Sequence, residues 1–198
     1  MEPNKTVNRK RIPYGMANFA SVRRDCYFVD KTHLIPEFEK ANAFFFFIRP
    51  RRFGKSLTLS MLKHYYDINR ADRFEKLFGG LYIGENPTEE RNSYLIIELD
   101  FSIIDGTLGN YKGSMDTHCN TRFNVFCDVY AQYLPEGIQE RMNEKEDAVA
   151  QLDFLCEECA KVGRKIFLFI DEYDHFTNDI LSDPARLRDY ESETHGEG

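Results

Sequence analysis

Gly54, Lys55 and Ser56 stand consecutively, and Asp171 and Glu172 follow an apolar run that ends 116 residues after Lys55. Together these residue types can handle a nucleoside triphosphate. A glycine lets backbone amides approach phosphate oxygens, and the helix behind it adds its dipole. A lysine neutralises β- and γ-phosphates, and a serine hydroxyl ligates Mg²⁺. A strand-end aspartate holds the same ion through water, and a glutamate after it polarises the attacking water. The candidate contact stretch is Arg49, Pro50, Arg51, Arg52, Phe53, Gly54, Lys55, Ser56 and Leu57. Lys55 and Glu172 are the candidate catalytic residues, and Ser56 and Asp171 the candidate metal ligands.

The consensus phosphate loop opens with a glycine five residues before its Gly-Lys-Ser, and here Arg49 occupies that position. That first glycine eases the turn out of a strand, whereas the amides nearest phosphate come later, around Phe53 to Ser56. Pro50 removes one N–H early in the loop. The three arginines can face phosphate, solvent or acidic neighbours. By its own spacing the loop therefore supports two readings equally, a nucleotide site or a strand-turn-helix that contains Gly-Lys-Ser by chance. The Asp-Glu pair tips the balance toward the site, because ligands of open α/β sheets bind beyond the carboxyl ends of the strands.

The elements that would carry these residues alternate. "AFFFFI" (43–48) is a continuous apolar run of strand length, as in a strand buried on both faces. Leu59, Leu62, Tyr65 and Tyr66 then recur at helical spacing. "YLIIELDFS" (94–102) predicts a second buried strand and "KIFLFIDEYD" (165–174) a third. Between these two, helices are expected over Asn120–Leu134 and Asn143–Ala160, with "IIDGTLGNYKGSMD" a glycine-bearing polar loop. Earlier in the chain, Tyr27–Val29 reads as an extended piece. A helix follows from Thr32–Pro36 to Ala41, with Thr32 as its cap. Strands alternating with helices imply an α/β fold with a mainly parallel sheet.

Composition bounds the rest. The chain has 198 residues, 42% of them apolar, including 17 Phe and 11 Tyr, enough for one packed domain. No apolar run is long enough to span a bilayer, and the polar start carries no signal-peptide pattern. Five irregularly spaced cysteines argue for a reducing cytoplasm rather than a disulfide framework. The net charge of −7 is uneven: residues 1–70 hold 14 Lys/Arg against 6 Asp/Glu, and residues 71–198 hold 12 against 27. The overall sign argues against broad nucleic-acid binding by this chain alone.

"IPYGMANFASVRRDCYFVDKT", "FIRPRRFGKSLTLSML" and "LFIDEYDHF", in this order, resemble the AAA-ATPase-like family of predicted bacterial P-loop ATPases. An Arg-Pro-Arg-Arg-Phe-Gly-Lys-Ser loop is typical there, so the resemblance makes Arg49 an expected residue. It covers about residues 9–178. It implies a three-layer P-loop sheet flanked by helices, ATP and Mg²⁺ as ligands, Lys55 and Ser56 at the phosphates and Mg²⁺, Asp171 at Mg²⁺, and Glu172 as catalytic carboxylate. The sheet order it implies is 5-1-4-3-2, with the Asp-Glu strand third. Many relatives carry a further nuclease-like domain, through which nucleic-acid association would come, and self-association is a further possibility.

The chain departs from this pattern after Tyr173, where "DHFTNDILSDPARLRDYESETHGEG" predicts no strand. The sequence thus reads as a basic tail (1–11), an AAA-ATPase-like region (12–178) truncated after its Asp-Glu strand, and a polar stretch (179–198). A nucleotide-binding or interaction module without turnover is the alternative. Among other residues, Asp30-Lys31-Thr32 fits helix capping or contact with the base. Cys156 and Cys159 fall on a helical core stripe and read as structural. The five histidines show no metal spacing. Asp100 reads as a strand-terminating residue or an outer carboxylate. Tyr173 and Asp174 either rim the pocket or start the next loop.

Overall fold

Short polar side chains start the first helices and dock them. The computed structural model of the chain describes residues 10–40, 44, 46–48, 53–104 and 111–173. It divides into two compact units, Met1–Ser93 and Tyr94–Gly198.

In the first unit, Asn18 caps helix α1 (Phe19–Asp25) by accepting the Ser21 amide at 3.0 Å. Helix α2 spans Ile35–Lys40 after a 3-10 turn at Thr32–Leu34. Helix α3 spans Lys55–Tyr66, and short helices α4 (Phe74–Phe78) and α5 (Tyr82–Glu85) follow. Ser60 on α3 accepts the Phe19 amide at 3.0 Å in a buried bond, which fixes α1 against α3. Phe19, Tyr65, Phe74 and Phe78 then meet ring to ring at 5.1–6.1 Å. Such aromatic contacts add specificity to the area they bury. Arg23 of α1 closes the end of α4 by donating to the carbonyls of Leu77 (2.7 Å) and Gly79 (3.0 Å), two acceptors the helix itself cannot satisfy. Arg11, expected in the loose tail, instead bridges to Cys26, and Tyr27 donates its amide to the Arg11 carbonyl.

Of the apolar run expected as a buried strand at 43–48, Ala43 and Phe45 lie outside the described residues, and the other four are not in a strand. Phe44 and Phe46–Ile48 have no strand pairing, and Phe44, Phe46 and Ile48 are 89%, 77% and 79% exposed. A strand is held by its ladder, and among the described residues no neighbour pairs with this segment.

The second unit holds the sheet. Strands β1 (Tyr94–Asp100) and β2 (Lys165–Asp171) pair in parallel, from Tyr94 with Lys165 to Asp100 with Asp171. Direct pairing of these two agrees with the neighbours that the resemblance implies. Leu95, Ile97 and Leu99 are buried on one face of β1, whereas only Phe169 of β2 is fully buried. Both strands are thus less buried than their apolar runs suggest, because the described sheet has two strands and each is an edge.

Helix α6 spans Tyr111–Val129, starting nine residues earlier than the expected helix and absorbing part of the expected polar loop. The helix expected over Asn143–Ala160 is α8 (Ala148–Lys161), and a short helix α7 (Ile138–Asn143), unforeseen, precedes it. Asp147 caps α8 by accepting the Ala150 amide at 2.9 Å, and Asp116 of α6 accepts the Ala148 amide at 3.1 Å. Helix α6 packs on β1, α7 and α8, and α8 packs on β2. Arg122 donates to the Glu98 carbonyl at 2.8 Å, tying α6 to β1. Among the described residues, no helix is long and apolar enough to cross a membrane.

Candidate functional site

Gly54 heads α3 in the left-handed conformation, φ 78° and ψ 22°. A glycine reaches it without strain, whereas a side chain there would be costly. The first backbone bond of the helix runs from the Thr58 amide to the Gly54 carbonyl at 2.9 Å. The amides of Lys55, Ser56 and Leu57 therefore lead the helix and point out of its N-terminus. Phe53, Gly54 and Ser56 are exposed, and Lys55 and Leu57 are half-buried. Leading amides, the positive end of a 12-residue helix, a lysine and an exposed hydroxyl form a head that can receive an anion and its cation. Arg49, Pro50, Arg51 and Arg52 lie outside the described residues.

In the second unit, β2 ends at Asp171. Its Oδ1 accepts the Glu172 amide at 3.0 Å, so the strand stops in a tight local turn. Glu172 has φ 51°, a left-handed conformation rare for a residue with a side chain. Strain of this kind costs on the order of 1 kcal/mol and collects at functional positions. Nothing in the amino-acid types signals it, since the conformation is set by the turn after β2. Asp171 and Glu172 are half-buried and Tyr173 is exposed. Asp174 lies outside the described residues.

Beside this strand end, Asp100 is the register partner of Asp171 and accepts the Ser102 amide at 3.0 Å. His118 of α6 approaches the Asp100 amide at 3.4 Å and stands edge-on to Phe101. Burial lowers the His118 pKa, helped by Arg122 and opposed by Asp100. Both residues sit at the carboxyl edge of the sheet, and the sequence singled out only Asp100.

Thr32 does not cap the helix after it. Asp30 Oδ1 accepts both the Thr32 amide (2.8 Å) and its hydroxyl (2.7 Å), and Asp30 Oδ2 accepts the Tyr82 amide (2.8 Å). The Thr32 hydroxyl in turn accepts the Ile83 amide at 3.1 Å. Burial alone would raise the Asp30 pKa, but the donors from Tyr82 and Thr32 outweigh it and hold the carboxylate below its ordinary range. Asp30 and Thr32 thus fasten the start of α5.

Among the described residues, no group of three His, Cys, Asp or Glu side chains that could hold a metal ion comes together, at Cys156 and Cys159 or elsewhere. Cys159 is buried and its thiol is pushed up to about 12, first by burial. That agrees with a place in the core.

Among the curated proteins, the chain is 27% identical over 186 residues to an uncharacterized protein in the vnfD 5′ region of Azotobacter chroococcum mcd 1. The match covers 92% of this chain and 33% of that protein, so the chain spans about a third of its relative's length. No solved structure matches the chain. The family model described as predicted AAA-ATPase matches residues 13–195. With nearly its whole length inside that match, the chain belongs to the AAA-ATPase-like family of predicted ATPases.

Proposed function

We propose that this chain binds ATP with Mg²⁺ and hydrolyses it. The observation that carries the reading is left-handed Gly54 at the head of α3, directly before Lys55 and an exposed Ser56, in a member of a predicted ATPase family. The amides of Lys55, Ser56 and Leu57, with the Lys55 ammonium, hold the β- and γ-phosphates, and Arg49, Arg51 and Arg52 add positive charge. The Ser56 hydroxyl and the Asp171 carboxylate would hold Mg²⁺, which when bound neutralises charge developing on the phosphate oxygens. Glu172 orients a water for in-line attack on the γ-phosphate. Its backbone conformation, fixed by the Asp171 side chain, limits where the carboxylate can point.

Turnover separates this reading from a second one. Phosphate release from Mg-ATP by the wild type, reduced at least roughly 100-fold in Glu172→Gln with ATP affinity kept, supports hydrolysis. A nucleotide-binding module without turnover is favoured by the two strands of the sheet among the described residues and by exposed Phe44, Phe46 and Ile48. That reading predicts ATP affinity and no Glu172-dependent phosphate release.

A further inference from the structure

Helix α3 ends in a polar cluster that nucleotide chemistry does not use. His64 is 5% exposed. Its Nδ1 lies 2.8 Å from the Ser60 carbonyl oxygen, which can only accept, so Nδ1 carries the proton. Its Nε2 lies 2.8 Å from Arg70 Nη1, which can only donate, so Nε2 is bare. These partners fix the ring as one neutral tautomer.

The same Arg70 donates from Nε to Asp67 Oδ2 at 2.8 Å. Asp67 is buried, and its Oδ1 accepts the Asn69 amide at 3.0 Å. One histidine lone pair thus helps hold the 3-10 segment Ile68–Arg73 on the end of α3. A proton on Nε2 would set N–H against N–H and place a second cation beside the Arg70 guanidinium. Arg73 adds a further positive charge, Asp67 is the opposing negative one, and α1 presents the uncharged Phe19 ring at 6.0 Å.

We propose that His64 is a proton-sensitive latch, which when neutral holds Arg70 and the 68–73 segment on the end of α3 and when protonated releases them. Burial first, then Arg70 and Arg73, push the histidine pKa down, against the Ser60 carbonyl and Asp67. The sign follows. A lowered folded pKa means the latch contributes fully above the unfolded value of about 6.5 and is lost as pH falls below it, through the folded value.

The test is hydrogen exchange, corrected for intrinsic rates, at the amides of residues 69–73 at pH 7.5 and 5.5. It is paired with NMR titration of His64 in the wild type, His64→Gln and Arg70→Met. Protection at 69–73 should be lost progressively in the wild type at the lower pH, while amides of α8 change little. His64→Gln should show no such fall, and in Arg70→Met the histidine should titrate closer to its ordinary value. Unchanged wild-type protection, the same fall in His64→Gln, or an unmoved titration in Arg70→Met overturns the proposal. If His64→Gln does not fold, the Arg70→Met titration decides alone.

Discussion

Asp100 and Asp171 are register partners at the carboxyl ends of two adjacent parallel strands. Register partners in a parallel sheet project to the same face, so two carboxylates stand side by side where ligands of α/β sheets bind. The two are not equivalent. Asp100 accepts the Ser102 amide, while Asp171 sets the conformation of Glu172. Asp171→Ala should abolish phosphate release. Asp100→Asn keeps the turn acceptor and removes like-charge repulsion, so it should leave thermal stability unchanged or raise it by roughly 0.5 kcal/mol or less. Thermal melts and phosphate release on the two variants check the asymmetry.

Gly54 offers a cleaner probe of the loop than any charged residue. Among the described residues, a Cβ there meets no atom within 4 Å, and the positive φ is what Gly54→Ala would strain. The variant should lose about 1–2 kcal/mol of stability, read by denaturant melts. It should also weaken Mg-ATP binding at least tenfold, because α3 would start from altered amide directions.

Glu172 carries the opposite strain. Replacing it by glycine removes a side chain from a left-handed position, so Glu172→Gly should be neutral or stabilising by up to about 1 kcal/mol. Phosphate release should nevertheless vanish. Greater stability joined to lost turnover would mark the strain as serving the site.

Thiol chemistry tests the reading of the Cys-x-x-Cys pair. Burial pushes the Cys127 thiol up to about 11 and the Cys159 thiol up to about 12, leaving little thiolate near neutral pH. Cys156 is exposed, though burial of its sulfur and Asp153 raise its pKa too. Iodoacetamide at pH 8 should therefore label Cys156 first and leave Cys127 and Cys159 unmodified in the folded protein, read by mass spectrometry. Rapid labelling of Cys159, or zinc uptake by the pair, would contradict a core role.

The parts visible in the sequence were those with strong local signals. The β1 and β2 runs are apolar and bounded by charge, and the structure pairs them directly. The helix after Gly54 followed from its apolar spacing. Phe44 and Phe46–Ile48 lack the expected strand pairing because a strand exists only through its neighbours, and composition cannot say whether a neighbour is there. Helix α7 was missed because six residues are too few for a periodic signal. Thr32 was misassigned because its hydroxyl bonds to Ile83, 51 residues away in sequence. The candidate site residues stand out in the sequence by type and spacing, whereas the positive φ of Glu172 and the approach of His118 to β1 arise only from the fold.

Phosphate recognition at the head of α3 is tested most directly by calorimetric titration of Mg-ATP into wild type and Lys55→Ala. The wild type should bind one ATP per chain, and Lys55→Ala should bind at least roughly tenfold more weakly, as expected for loss of one charge-assisted contact. No heat of binding in a folded wild type, or equal affinity in the two proteins, would contradict it.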